Sequence, residues 1–168
     1  MVRPMRRLIL PLVLLIATLL RAADAPLEKE VADLVAGPQV TVVHFWAPWC
    51  DNSKAELGPD GWARFIVANP DAKFVFIAIW HKGQKPEPVL AAAGLGAQPN
   101  LLVRTHPNPS RLAADRLNTF LGQPLTWLPT TWIYREGKLR YALNYGEVHF
   151  TMLQTLVEDA RDGAKWEH

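Results

Sequence analysis

Apolar positions recur along this chain with two periods. Leu27, Val31, Leu34 and Val35 follow helical spacing, and Gly37-Pro38 ends the helix expected over Leu27 to Ala36. Val40 to Trp46 is a run of β-branched and aromatic residues, the pattern of a buried central strand. A helix is expected to begin at Cys50, with Ser53 to Leu57 in its first turns. Gly58-Pro59-Asp60-Gly61 interrupts it and Trp62 to Ala68 resumes it. Lys73 to Trp80 (KFVFIAIW) reads as a second strand, Glu87 to Ala93 as a short helix and Asn100 to Thr105 as a third strand. Arg111 to Leu121 reads as a helix with Ser110 as its N-cap. Thr130 to Arg135 and Leu139 to Asn144 form strands joined through Glu136-Gly137-Lys138, and Phe150 to Ala160 closes the chain with Met152, Leu153, Leu156 and Val157 on its apolar face. The order α-β-α-β-α-β-α-β-β-α predicts an α/β domain, with parallel strands covered by helices on both faces and a final antiparallel edge.

The first 25 residues follow a different pattern. Arg3, Arg6 and Arg7 precede an apolar run from Leu8 to Leu20, and Ala23-Asp24-Ala25 fits an A-x-A cleavage site. These are the three parts of a secretory signal peptide, and the run is short for a bilayer-spanning helix. The division expected is a signal peptide over 1–25 and one domain over 26–168, in a periplasmic or secreted protein. The alternative is an uncleaved anchor that leaves the domain facing the periplasm, and only then is a membrane a partner.

Removing that segment changes the charge. The whole chain carries 18 Lys and Arg against 16 Asp and Glu. Without Arg3, Arg6, Arg7, Arg21 and Asp24 the balance is 14 to 15, a net charge of −1. No basic footprint for nucleic acid remains. His81, His106, His149 and His168 lack metal-ligand spacing, and phosphate-loop, G-x-G-x-x-G and G-x-S-x-G motifs are absent. No metal and no cofactor is expected.

Cys50 is the only cysteine, so the chain cannot form an internal disulfide. It stands two residues before the hydroxyl of Ser53, at the spacing of a dithiol redox motif with the second thiol replaced. Its place at a helix N-terminus, where backbone N–H groups favour an anion, suits a reactive thiolate. The other reading is a leftover cysteine in a degenerate site. Ser53, one helical turn on, can donate a hydrogen bond to the thiolate but cannot attack a mixed disulfide. His44, on the strand leading into the site, is either a proton partner of the thiol or a structural histidine.

The segment Val43-His44-Phe45-Trp46-Ala47-Pro48-Trp49-Cys50, followed about eighty residues later by Leu128-Pro129-Thr130-Thr131, resembles the thioredoxin superfamily. The closer likeness, over roughly residues 27–162, is to its exported TlpA/ResA-like branch. That branch shares the signal or anchor, the helix and strand inserted after the second central strand, and a Glu after the cysteine motif, here Glu56. The resemblance implies a three-layer sandwich: a central mixed sheet, helices on both faces and an α/β insertion. It also implies that Glu56 lies near the thiol and tunes its proton affinity, that Pro129 is cis, and that Leu128 offers backbone groups to a bound substrate. In isolation Glu56 reads as a helix-surface carboxylate. Ser53 departs from the family's second cysteine, and His44 stands where thioredoxins carry a buried acid.

The expected activity is monothiol thiol-disulfide exchange. Cys50 attacks an exported protein or a small-molecule disulfide, and an external thiol releases the adduct. Trp49 and Trp127, with Leu128 and Pro129, are the expected substrate contacts, while Trp46 is expected to pack in the core. A second reading is a non-catalytic module that binds an exported polypeptide in the same Trp and cis-proline groove. A third, peroxide reduction through a sulfenic acid, is disfavoured by Ala47, because the related peroxidases carry Thr three residues before their cysteine.

Overall fold

A computed structural model describes residues 26–166 except 97 and 145. The expected signal segment lies outside the described residues. Helix α1 (26–35) leads into β1 (Thr41–Trp46). Then follow α2 (Asp51–Ala55), α3 (Trp62–Ala68), β2 (Lys73–Ala78), α4 (Glu87–Ala92) and β3 (Leu101–Thr105). A two-stranded hairpin of β4 (Thr119–Phe120) and β5 (Gln123–Pro124) precedes β6 (Thr130–Arg135), β7 (Lys138–Leu143) and α5 (Phe150–Arg161). The five-stranded sheet runs β3-β2-β1-β6-β7. β1, β2 and β3 are parallel, while β6 and β7 are antiparallel to their neighbours. No helix among the described residues is long and apolar enough to cross a membrane.

The sheet's centre is β1, all six of whose residues are buried. Alternate side chains enter two separate cores, as strand geometry requires. Val43 and Phe45 join Val31 and Val35 of α1, together with Phe120, Leu125 and Trp132. Val42 and Trp46 join Trp62 and Phe65 of α3, and Leu153 and Val157 of α5. The result is an α/β sandwich of three layers. The bidentate pair of Arg104 with Glu30, at 2.6 and 2.9 Å, ties α1 to the edge strand β3. The β6–β7 turn is Glu136-Gly137, both at positive φ, a two-residue geometry that matches the strand twist.

One expected element is absent. Residues 111–121 do not form a helix. Ser110 Oγ accepts from Leu112 N–H at 3.2 Å, so the cap is there. A single turn then closes, from Asp115 and Arg116 N–H to Leu112 O. The next bonds pull the chain away from it: Asn108 Nδ2 donates to Asp115 O at 2.6 Å, and Trp80 Nε1 to Leu117 O at 2.8 Å. Leu112 is 70% exposed, so a helix here has no apolar face to bury. Phe120 instead anchors the β4–β5 hairpin against Phe45, with ring centroids 5.3 Å apart.

The break between α2 and α3 depends on a close backbone approach. A Cβ on Gly61 meets Glu56 O at 1.9 Å, and Trp62 N–H donates to that same carbonyl at 3.1 Å. Gly61→Ala must therefore shift the backbone that carries Glu56 into the core. It is expected to lower stability by about 1–3 kcal/mol, read from denaturant unfolding. A change near zero contradicts the close approach.

Candidate active site

Cys50 is the N-cap of α2. Its φ and ψ of −85° and 118° are extended, and its carbonyl accepts the first helical bond, from Lys54 N–H at 3.0 Å. The side chain is half-buried, with Sγ 3.9 Å from Leu128 O. The Leu128–Pro129 peptide is cis. Thr130 Oγ1 donates to Trp127 O at 3.1 Å and fixes this loop. The sulfur thus faces the backbone of the Leu128–Pro129 corner across a cleft of about 500 Å³, which Trp49, Trp80, Trp127, Arg111 and Arg116 also line.

The tryptophans divide as their surroundings require. Trp46 is fully buried and Trp127 is 44% exposed. Trp49 is half-buried, and its indole N–H donates to Trp80 O at 2.6 Å. Trp80, two residues after β2, adopts a positive φ of 49° and lines the cleft.

Ser53 is fully buried. Its Oγ accepts from Ala47 N–H at 3.4 Å, so the hydroxyl braces the turn between β1 and α2. A serine hydroxyl, un-ionised in the absence of a base, cannot take the place of a resolving thiolate.

His44 points to the other side of β1 from Phe45, between the rings of Trp62 and Phe76, with centroids at 4.6 and 4.8 Å. It is paired with Thr131 in the β1–β6 register, and its Nδ1 lies 2.9 Å from Thr131 Oγ1. Its Nε2 lies 3.3 Å from Glu56 Oε2, without hydrogen-bond alignment. Glu56 is only 3% exposed, which overturns its reading as a helix-surface carboxylate. Its Oε1 accepts from Val148 N–H at 2.6 Å and its Oε2 from Trp62 Nε1 at 2.9 Å. The break at Gly58–Gly61 folds the chain inward here, and two donors compensate the buried carboxyl.

Burial sets the protonation of both groups. It holds His44 neutral, pushed down to about 3. It pushes Glu56 up to about 7, against the hydrogen bonds from Trp62 and Val148. Near neutral pH the site therefore contains a neutral imidazole beside a carboxyl that is about half protonated.

Trp62, Thr131 and the Val148 amide escaped the sequence reading, as did the cleft-lining Trp80, Arg111 and Arg116. Trp62 has a faint signal, an indole N–H on the apolar face of its helix that must find a partner. The arginines had none, because their segment carries a helical pattern.

The pH dependence of stability follows from the signs. Glu56 rises from 4.5 to about 7 on folding, so stability falls as pH climbs through that window. His44 drops from 6.5 to about 3, so stability falls as pH descends through that window. The two slopes oppose each other between 4.5 and 6.5, which leaves a plateau there. Glu56→Gln places an amide N–H against one of the two donors and is expected to cost about 1–3 kcal/mol at pH 5.5. That deficit shrinks by about 2 kcal/mol by pH 8, where the native carboxylate is itself penalised. A deficit that is constant with pH in urea unfolding contradicts the assignment.

No family model matches this chain, and no curated protein matches it. Solved structures do. A secreted Mycobacterium tuberculosis disulfide oxidoreductase homologous to E. coli DsbE is similar at 20% identity and a TM-score of 0.50, over 74% of this chain and 84% of that one. StoA from Bacillus subtilis is similar at 21% identity and 0.51, over 71% and 83%. A secreted thiol-disulfide isomerase from Corynebacterium glutamicum is similar at 17% identity and 0.55, over 79% and 75%. These likenesses, together with the sheet order and the position of the cis peptide, establish a thioredoxin-like fold for this chain.

Proposed function

We propose that this is an exported thioredoxin-fold protein that performs thiol-disulfide exchange through Cys50 alone. The observation that carries the reading is the contrast between positions 50 and 53. The thiol opens onto a cleft beside the cis-proline corner, and the residue at the resolving position is a buried serine. The leader-like pattern of residues 1–25 supports export, and two of the structural neighbours are a secreted disulfide oxidoreductase and a secreted thiol-disulfide isomerase.

In this reading the Cys50 thiolate attacks one sulfur of a disulfide on an exported protein or a small molecule. A new Cys50–S bond forms, the old disulfide bond breaks, and the other sulfur leaves as a thiolate. The Leu128 and Pro129 backbone and the Trp49 and Trp127 rings hold the incoming chain. An external thiolate then attacks the substrate sulfur and restores Cys50. Ser53 shapes the turn that presents the thiol. Glu56, six residues after Cys50 and just past the other end of α2, is a positioning residue whose change of charge near pH 7 acts on the thiol through that short helix. His44, held neutral by burial, adds no charge beside Glu56. The second reading, a binding module without turnover, draws support from exposed Trp127.

Ser53→Cys separates the two readings. It places a thiol at the buried resolving position, so the variant is expected to form an internal disulfide with Cys50. The mixed disulfide expected of the natural chain should fall by about tenfold or more, as measured by intact mass under non-reducing conditions. Persistence of the adduct in Ser53→Cys contradicts the exchange geometry. Full partner retention and full biological activity in Cys50→Ala favours the binding module.

A further inference from the structure

The loop that replaces the expected helix lays cations over the cleft. Arg111 Cζ lies 4.2 Å from the Trp49 ring centroid, and Arg116 Cζ lies 4.5 Å from that of Trp80. Lys82 Nζ is 5.1 Å from Trp49. The loop is tied down: Asn108 Oδ1 accepts from Ser110 N–H at 2.9 Å, and Lys82 N–H donates to Pro109 O at 3.0 Å. Asn108 Nδ2 and Trp80 Nε1 grip its far side.

A guanidinium held over an aromatic ring spends none of its N–H donors on that contact, and those donors match a carboxylate. Among the described residues no carboxylate pairs with either arginine. The one acidic side chain lining the cleft, Asp51, is paired with Lys54 at 2.7 Å. A cationic wall is therefore concentrated beside Cys50 in a domain that is otherwise near neutral. The cleft volume of about 500 Å³ falls in the range of small-molecule sites.

We propose that this cleft takes a low-molecular-weight thiol bearing carboxylates, seated as its disulfide with the carboxylates on Arg111 and Arg116. This rests on the exchange reading above and names its small-molecule disulfide. The Cys50 thiolate attacks R–S–S–R and forms Cys50–S–S–R, with the other half leaving as a thiolate. A thiolate of the exported partner then attacks the R sulfur, which forms the partner–S–S–R mixed disulfide and returns Cys50 as a thiolate, so one disulfide is present at every stage and no outside oxidant is needed.

The test compares two small aromatic disulfides under stopped flow: dianionic dithiobis(nitrobenzoate) and neutral dithiodipyridine. Each rate with Cys50 is divided by the rate with N-acetylcysteine amide. The anionic-to-neutral ratio is expected to be on the order of tenfold at low salt and to fall as salt is added. It should approach one in the Arg111→Gln/Arg116→Gln double variant. A ratio near one in the natural chain, a ratio insensitive to salt, or an unchanged ratio in the double variant overturns the proposal. So does an anion preference confined to long acidic disulfide peptides, which makes a polypeptide the occupant. If Cys50 reacts with neither reagent, the exchange reading itself falls, an outcome distinct from the loss of charge preference alone.

Discussion

The carboxyl group of Glu56 is buried where three segments of the chain meet. It accepts one hydrogen bond from the backbone that leads into α5 and another from the indole that opens α3, and it sits against a histidine of the central strand. An unmade bond to such a group costs more than a made one contributes, so these segments are held in register by the need to satisfy one carboxyl. Gly61 permits the arrangement, because a Cβ at that position would lie 1.9 Å from the Glu56 carbonyl oxygen. The orientation of α2 follows, and with it the position of Cys50 at its N-cap.

The cleft is built from the opposite core. Phe120, Leu125 and Leu128 pack on the α1 side of the sheet and carry the loop that ends in the cis peptide. Cys50 therefore lies where two independently packed layers meet: α2, fixed by Glu56, and the corner before β6, fixed by the apolar face below it. A shift of either layer moves the sulfur away from the Leu128 carbonyl.

Much of this was written in local patterns. KFVFIAIW and the run into FWAPWC have the composition of strands buried on both faces, and they are neighbours in the sheet. Glu136-Gly137 announced its hairpin. The 111–121 segment misled because its helical propensity was overridden by side-chain bonds from Asn108 and Trp80, which lie outside it. Tertiary partners of that kind leave no local trace. The same holds for Glu56, which looks like any helix-surface acid until the chain folds back at Gly61. The motif around Cys50 was legible at once. Its cationic wall was not, since Arg111 and Arg116 reach it only after the helix fails to form.

The proposed exchange turns on a thiol that captures a disulfide and cannot release it unaided. The most direct measurement follows the intact protein by mass during reaction with a disulfide-linked peptide in the absence of any other thiol. The account predicts one peptide bound at Cys50 for each peptide thiol released, a stable adduct, and recovery of the free protein only when an external thiol is added. Continued release of peptide thiol beyond one per protein without that addition, or no adduct at all at an accessible Cys50, contradicts it.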